Sequence, residues 1–184
     1  MLFSSVQRLV GLVLAISVLG FSNLAQAESR AALEQSSQAA LHSLIAKDAV
    51  ARELSQRATA VLVFPDVKKA GLIVGGQFGE GVLWRAGKAV GYYNTGGASY
   101  GFQAGVQEYG YAMFFMKESA LKALDVTQGF EVGVGPSIVV IDQGKGVSHT
   151  TTTMQDDVYA FVFDQKGLMA GIGIQGNKIT KINK

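Results

Sequence analysis

The spacing of apolar residues along the chain changes twice. Residues 9–19 are an almost unbroken apolar run. Leu33, Ala40, Leu44, Ala51 and Leu54 then fall near one helical stripe, and from Ala60 onward apolar residues come in short runs or alternate. The first run follows Arg8 and leads to Ala25-Gln26-Ala27, a small-x-small cleavage site. Residues 1–27 are therefore expected to be a secretory signal peptide, removed before Glu28. The run is short for a stable bilayer span, which takes about 20 residues. Residues 28–184 have a length that suits one domain with its own core.

Segment 29–57 contains no Gly or Pro and is rich in Ala, Leu, Gln, Glu and Arg, so one helix is expected, with Ser29 placed to cap it. Its other face mixes Arg30, Glu34, Lys47, Asp48, Arg52, Glu53 and Arg57. That mixture suits packing on a sheet better than lying in a membrane surface. Residues 60–64, ended by Pro65, read as a buried strand. Strands are also expected at 72–84, 90–93, 100–116, 130–134, 138–141, 158–163, 168–174 and 178–182. Within 100–116, Tyr100, Phe102, Ala104 and Val106 alternate with Gln103, Gln107 and Tyr109. Residues 117–124 form a second, short helix in this reading, with Glu118 and Lys122 paired at i,i+4.

Glycine sharpens the picture. Of 23 glycines, all but Gly11 and Gly20 lie at Gly71 or beyond. Glycine this dense within strands marks bulges and close backbone approach. The expected class is α+β: an N-terminal helix, then a Gly-rich, mostly antiparallel, strongly curved or barrel-like sheet with one further short helix.

Composition mainly excludes. The chain has no Cys, so it has no disulfide, thiol nucleophile or thiolate metal site. A formal charge of +2, one less without Arg8, argues against a nucleic-acid partner. His42 and His149 have no partners at metal spacing, and the neighbours Asp156 and Asp157 would point to opposite faces of a strand. Gly87-Lys88 and Gly144-Lys145 lack the following Ser or Thr of a phosphate loop, and no Gly-x-Ser-x-Gly elbow occurs. No catalytic residue, metal or cofactor is expected.

The remaining pattern is more specific. Residues 60–65 (AVLVFP) lead into 67–71 (VKKAG) and 75–81 (GGQFGEG). Further on come Tyr92-Tyr93, Gly96-Gly97, residues 101–105 (GFQAG), Val132-Gly133, 159–163 (YAFVF), 164–168 (DQKGL) and Ala170-Gly171. In order and spacing these resemble the SYLF domain, over about 29–182. The resemblance implies a bacterial SYLF-domain protein, with one SYLF-like domain over 28–184. It further implies a non-catalytic module that binds anionic phospholipid or a membrane surface, and for some members actin. Lys68 and Lys69, expected in a solvent-facing loop after Pro65, are the candidate lipid contacts, with Arg52 and Arg57 near the end of the first helix. Arg52 and Arg57 are equally suited to offset that helix's dipole. With the leader, the expected location is exported, in the periplasm or cell envelope. Two alternatives stand beside lipid binding. One is an envelope protein-interaction module using a sheet edge. The other is a small outer-membrane β-barrel, which the consecutive apolar residues 138–141 and the charged N-terminal helix disfavour.

Overall fold

Asp48 divides the N-terminal helical segment in two. In the computed structural model, which describes residues 29–71, 74–100, 105–125, 129–142, 155–167 and 176–184, helix α1 spans Arg30–Lys47 and α2 spans Ala49–Arg57. The leader region thus lies outside the described residues. Ser29 caps α1, its hydroxyl accepting from the Ala32 N–H at 3.3 Å. Asp48 has extended backbone angles (φ −123°, ψ 117°) and serves both helices. Its N–H donates to Leu44 O, closing α1, while its carboxylate accepts from the Val50 and Ala51 N–H groups at 2.9 Å and opens α2. The single helix expected over 29–57 is corrected here, because an Asp carboxylate satisfies helix-start donors better than it tolerates a helix interior. The apolar stripe survives the break, with Leu33, Leu44, Ala51 and Leu54 all buried.

The strands are β1 (Ala60–Gly71), β2 (Val74–Arg85), β3 (Lys88–Tyr100), β4 (Gly105–Phe115), β5 (Phe130–Glu131), β6 (Ile138–Asp142), β7 (Val158–Gly167) and β8 (Lys178–Ile182). They form one sheet in the order β5-β8-β3-β2-β1-β4-β7-β6, curled into a half-barrel. Every pairing is antiparallel except β6 with β7. The α+β class and the curved, mostly antiparallel sheet are as the sequence led one to expect. Two details differ. The expected helix 117–124 is a single turn, α3 (Glu118–Leu121), continued by a 3-10 turn at Lys122–Asp125, and Glu118 pairs with Arg85 of β2. Strand β1 does not stop at Pro65. It continues to Gly71 through a register shift beside Phe64 and Pro65, a bulge that accommodates a residue without an N–H. The strand expected at 168–174 lies outside the described residues except for its neighbour Gly167.

Curling gives the sheet two faces with separate cores. Inside lie Phe64, Val67, Tyr93, Tyr111, Met113 and Phe115, closed at one end by Ala120 and Leu124. Outside, Val61, Val63, Phe114 and Phe161 pack beneath Leu44, Ala51 and Leu54 of the helices.

The β2–β3 connection is a two-residue turn with positive φ at both Ala86 (48°) and Gly87 (74°). Turns of this form favour Asn at the first position, because a Cβ is strained there unless the side chain bonds locally. Ala86→Asn is expected to raise stability by about 0.5–1 kcal/mol, read as an upward shift of the urea midpoint at unchanged slope.

Candidate functional site

Helix α1 crosses the outer face obliquely. Near its start, Leu33 packs on Val82 and Tyr92, Glu34 hydrogen-bonds the Tyr92 hydroxyl, and the Arg30 guanidinium lies 5.2 Å from the Tyr92 ring centroid. At its end, Lys47 pairs with Asp164 of β7 at 3.4 Å. Beyond this diagonal, toward Gly71 and Val74, the outer face carries no helix among the described residues.

Strand register sets what this bare face presents. One cross-strand row reads Lys166, Glu108, Lys68, Phe78, Gly96 and Lys178. The next row outward holds Val106, Ala70, Gly76 and Ala98, all exposed. Phe78 is 55% exposed and Val106 67%, so this is an apolar surface rather than a pair of stray side chains. Lys68, Lys166 and Lys178 stand around it. The Lys68 ammonium lies 3.5 Å from Asp66 and 3.8 Å from Glu108. Burial, and after it the charge of Glu108, raises the Asp66 carboxyl above its ordinary pKa.

The inward residues of the same strand segments make a polar floor. Gln107, Lys69 and Gln77 are cross-strand neighbours, and Asn177 joins them across Gly97. All four side-chain-bearing residues are buried. The Tyr109 hydroxyl donates to Gln77 Oε1 at 2.6 Å, and Gln77 Nε2 donates to Asn177 Oδ1. Gly97 permits that bond, since a Cβ there would collide with the Asn177 amide. Deeper in, Tyr111 donates to Thr95 at 2.8 Å. Burial lowers the Lys69 ammonium pKa and raises those of the Tyr109 and Tyr111 phenols.

The structure therefore separates the four residues expected to contact lipid. Lys68 and Lys69 occupy a strand, not a loop, so the pleat sends Lys68 out and Lys69 into the sheet interior. Arg52 donates to the Ile45 and Ala46 carbonyls at 2.9 and 3.0 Å, satisfying acceptors left open at the end of α1. Arg57 pairs with Glu53 at 3.4 Å. Only Lys68 belongs to the bare face. Phe78, Val106, Lys166 and Lys178 are the residues the sequence reading missed there. The alternation in 100–116 had shown two sides, and it is the Gln107 and Tyr109 side that faces inward.

Other titratable groups are tied into the scaffold. Asp157 accepts from Lys117 at 2.7 Å and from the Ser137 N–H at 3.2 Å, and the Lys117 bond is the main cause of its lowered pKa. His42 is exposed on α1, while His149 lies outside the described residues. Among the described residues, no three His, Asp or Glu side chains cluster to hold a metal ion, and no helix is long and apolar enough to cross a membrane. What the geometry offers is a contact surface.

Comparison with curated proteins finds no match. Comparison with protein-family models matches residues 96–184 to Ysc84, described as Las17-binding protein actin regulator. The matched span begins within β3 and takes in β4 to β8, including Val106, Lys166 and Lys178 of the bare face. Residues 96–184 thus match the model of the Ysc84, or SYLF, domain family.

Proposed function

We propose that the protein is a non-catalytic binding module of the bacterial cell envelope, exported with loss of residues 1–27, that contacts anionic membrane surfaces through the bare outer face of its sheet. The exposure of Phe78 and Val106 in and beside a cross-strand row that holds three exposed lysines carries this reading. Withdrawing a Phe side chain from water is worth about 1.5–3 kcal/mol, and each lysine near an anionic surface about 1 kcal/mol. Lys68 contributes less than that, because Asp66 and Glu108 already share its charge. Binding is thus weak, chiefly apolar, and tuned by salt. The family description supports a second reading, in which the same face docks an envelope protein in the manner of an actin-regulator domain.

Sedimentation with anionic and neutral vesicles at two salt concentrations tests the proposal. Wild type is expected to favour anionic vesicles, Phe78→Asp to weaken binding about ten-fold or more, a loss of at least 1.4 kcal/mol, and Lys68→Glu to weaken it less and only at low salt. If wild type sediments with neither vesicle, the membrane reading fails and the protein-docking one replaces it.

A further inference from the structure

The end of the sheet opposite Phe78 carries a separate concavity. A groove of about 350 Å³ opens between α1, the last turn of α2 and the β2–β3 turn. Leu41, Val61 and Trp84 line its apolar part, and Gln38, His42 and Gln56 supply polar groups. Its volume lies at the small end of ligand-binding clefts.

The indole of Trp84 is held in place. Its ring N–H donates to Ser37 Oγ at 2.8 Å, and the Ser37 hydroxyl donates to Val63 O at 3.4 Å. The ring is half-buried, packed against both outer-face clusters while still reaching the groove. The polar groups are uncommitted by contrast. Gln38 and His42 stand one helical turn apart on α1, and these two and Gln56 are exposed. Among the described residues, none of the three side chains forms a hydrogen bond or ion pair with the protein. Each Gln amide offers both donors and an acceptor, and His42 adds a further nitrogen pair.

Three ligand classes fit this lining poorly. Among the described residues that line the groove there is no Lys, Arg, Asp or Glu, so they offer a phosphate or carboxylate no counter-charge. An extended peptide adds to a free strand edge, but β1 and β2 are each paired on both sides. A wholly apolar ligand would cover two amides and an imidazole without replacing their bonds to water. What remains is a small neutral molecule with an apolar face and many hydroxyls.

We propose that this groove binds a neutral saccharide of hexose-ring size. The C–H face of the ring lies against Trp84 and Leu41, and adjacent hydroxyls exchange hydrogen bonds with Gln38, His42 and Gln56. The site is separate from the proposed membrane-facing surface, at the other end of the same outer face.

Trp84 is the one tryptophan in the chain, so intrinsic fluorescence reads the groove directly. The full chain is titrated with maltotriose and with the N-acetylglucosamine trimer. At least one is expected to give a saturable change with Kd of about 0.1–1 mM. Gln38→Ala/Gln56→Ala should weaken it about ten-fold or more, with an unchanged circular dichroism spectrum because both side chains are exposed, and Phe78→Asp should leave it unaltered. The proposal is overturned if neither trimer saturates, if the double variant binds like wild type, or if inorganic phosphate or a capped dipeptide gives the same response.

Discussion

Phe64→Ala is expected to lower the stability of the protein by about 3–5 kcal/mol, measured from urea unfolding. The ring is fully buried and stacks on Tyr111 with centroids 4.6 Å apart. It is also seated against the backbone of the neighbouring strand. A Cβ on Gly81 would come within 2.6 Å of Phe64 Cδ1 and 2.7 Å of Val63 O. Gly81→Ala alone should therefore cost about 1–3 kcal/mol through overpacking. Because both changes act on one volume, their effects should not add. In a Phe64→Ala background the whole ring is gone while the Val63 carbonyl stays in place, and Gly81→Ala should cost measurably less. Full additivity in that cycle would mean that the ring is not seated over Gly81 as described.

Gly81 also shows what the sequence discloses and what it hides. A high density of glycine from Gly71 onward signals a sheet bent tightly enough for side chains of one strand to press on the backbone of the next. Gly79 against Val67 and Gly81 against Phe64 are two such contacts. Curvature was thus legible from composition and spacing. The helical stripe was legible too, because burying Leu33, Leu44, Ala51 and Leu54 on one sheet requires their spacing whether or not the helix is continuous. The interruption at Asp48 was not. A mid-segment Asp reads as one more polar residue on a solvated face until its carboxylate is seen bridging the Val50 and Ala51 N–H groups.

The candidate site was harder, for a related reason. Alternation divides a strand into two sides without saying which side lies within. Apolarity normally decides that, but in this fold the interior near Gly71 is polar, lined by Gln77, Gln107, Asn177 and Lys69. Val106 and Phe78 face outward past the edge of α1 instead. Adjacent lysines at 68 and 69 suggested a paired basic patch only on the assumption of a loop. Once β1 runs through Pro65, the pleat must separate them. The bulge beside Pro65 is a tertiary accommodation, and proline on its own gave the opposite signal.

That separation of the two lysines leads to the expected alkaline behaviour. Stability should rise with pH where folded Lys69 loses its proton, below 10.5, and fall where the unfolded chain's tyrosines ionise, above about 10. Lys69 loses its proton in the folded protein below its ordinary pKa of 10.5, because burial disfavours the ammonium. Between its folded pKa and 10.5 the unfolded chain holds more protons, so raising pH favours folding in that window. The buried tyrosines act in the opposite sense. Tyr111, fully buried, and Tyr109 keep their phenolic protons above the ordinary value of 10.0, where the unfolded chain releases them. The folded state then holds more protons, and stability drops by up to about 1.4 kcal/mol per pH unit for each tyrosine. Lys117, whose ammonium is held up by the Asp157 bond, adds to that fall above 10.5. Urea midpoints across the alkaline range separate the contributions. Lys69→Met should abolish the rise while leaving the fall, and Tyr111→Phe should make the fall shallower while leaving the rise. If Lys69→Met keeps the wild-type slope throughout the range below 10.5, the Lys69 ammonium is hydrated, and the inward placement of its side chain is wrong.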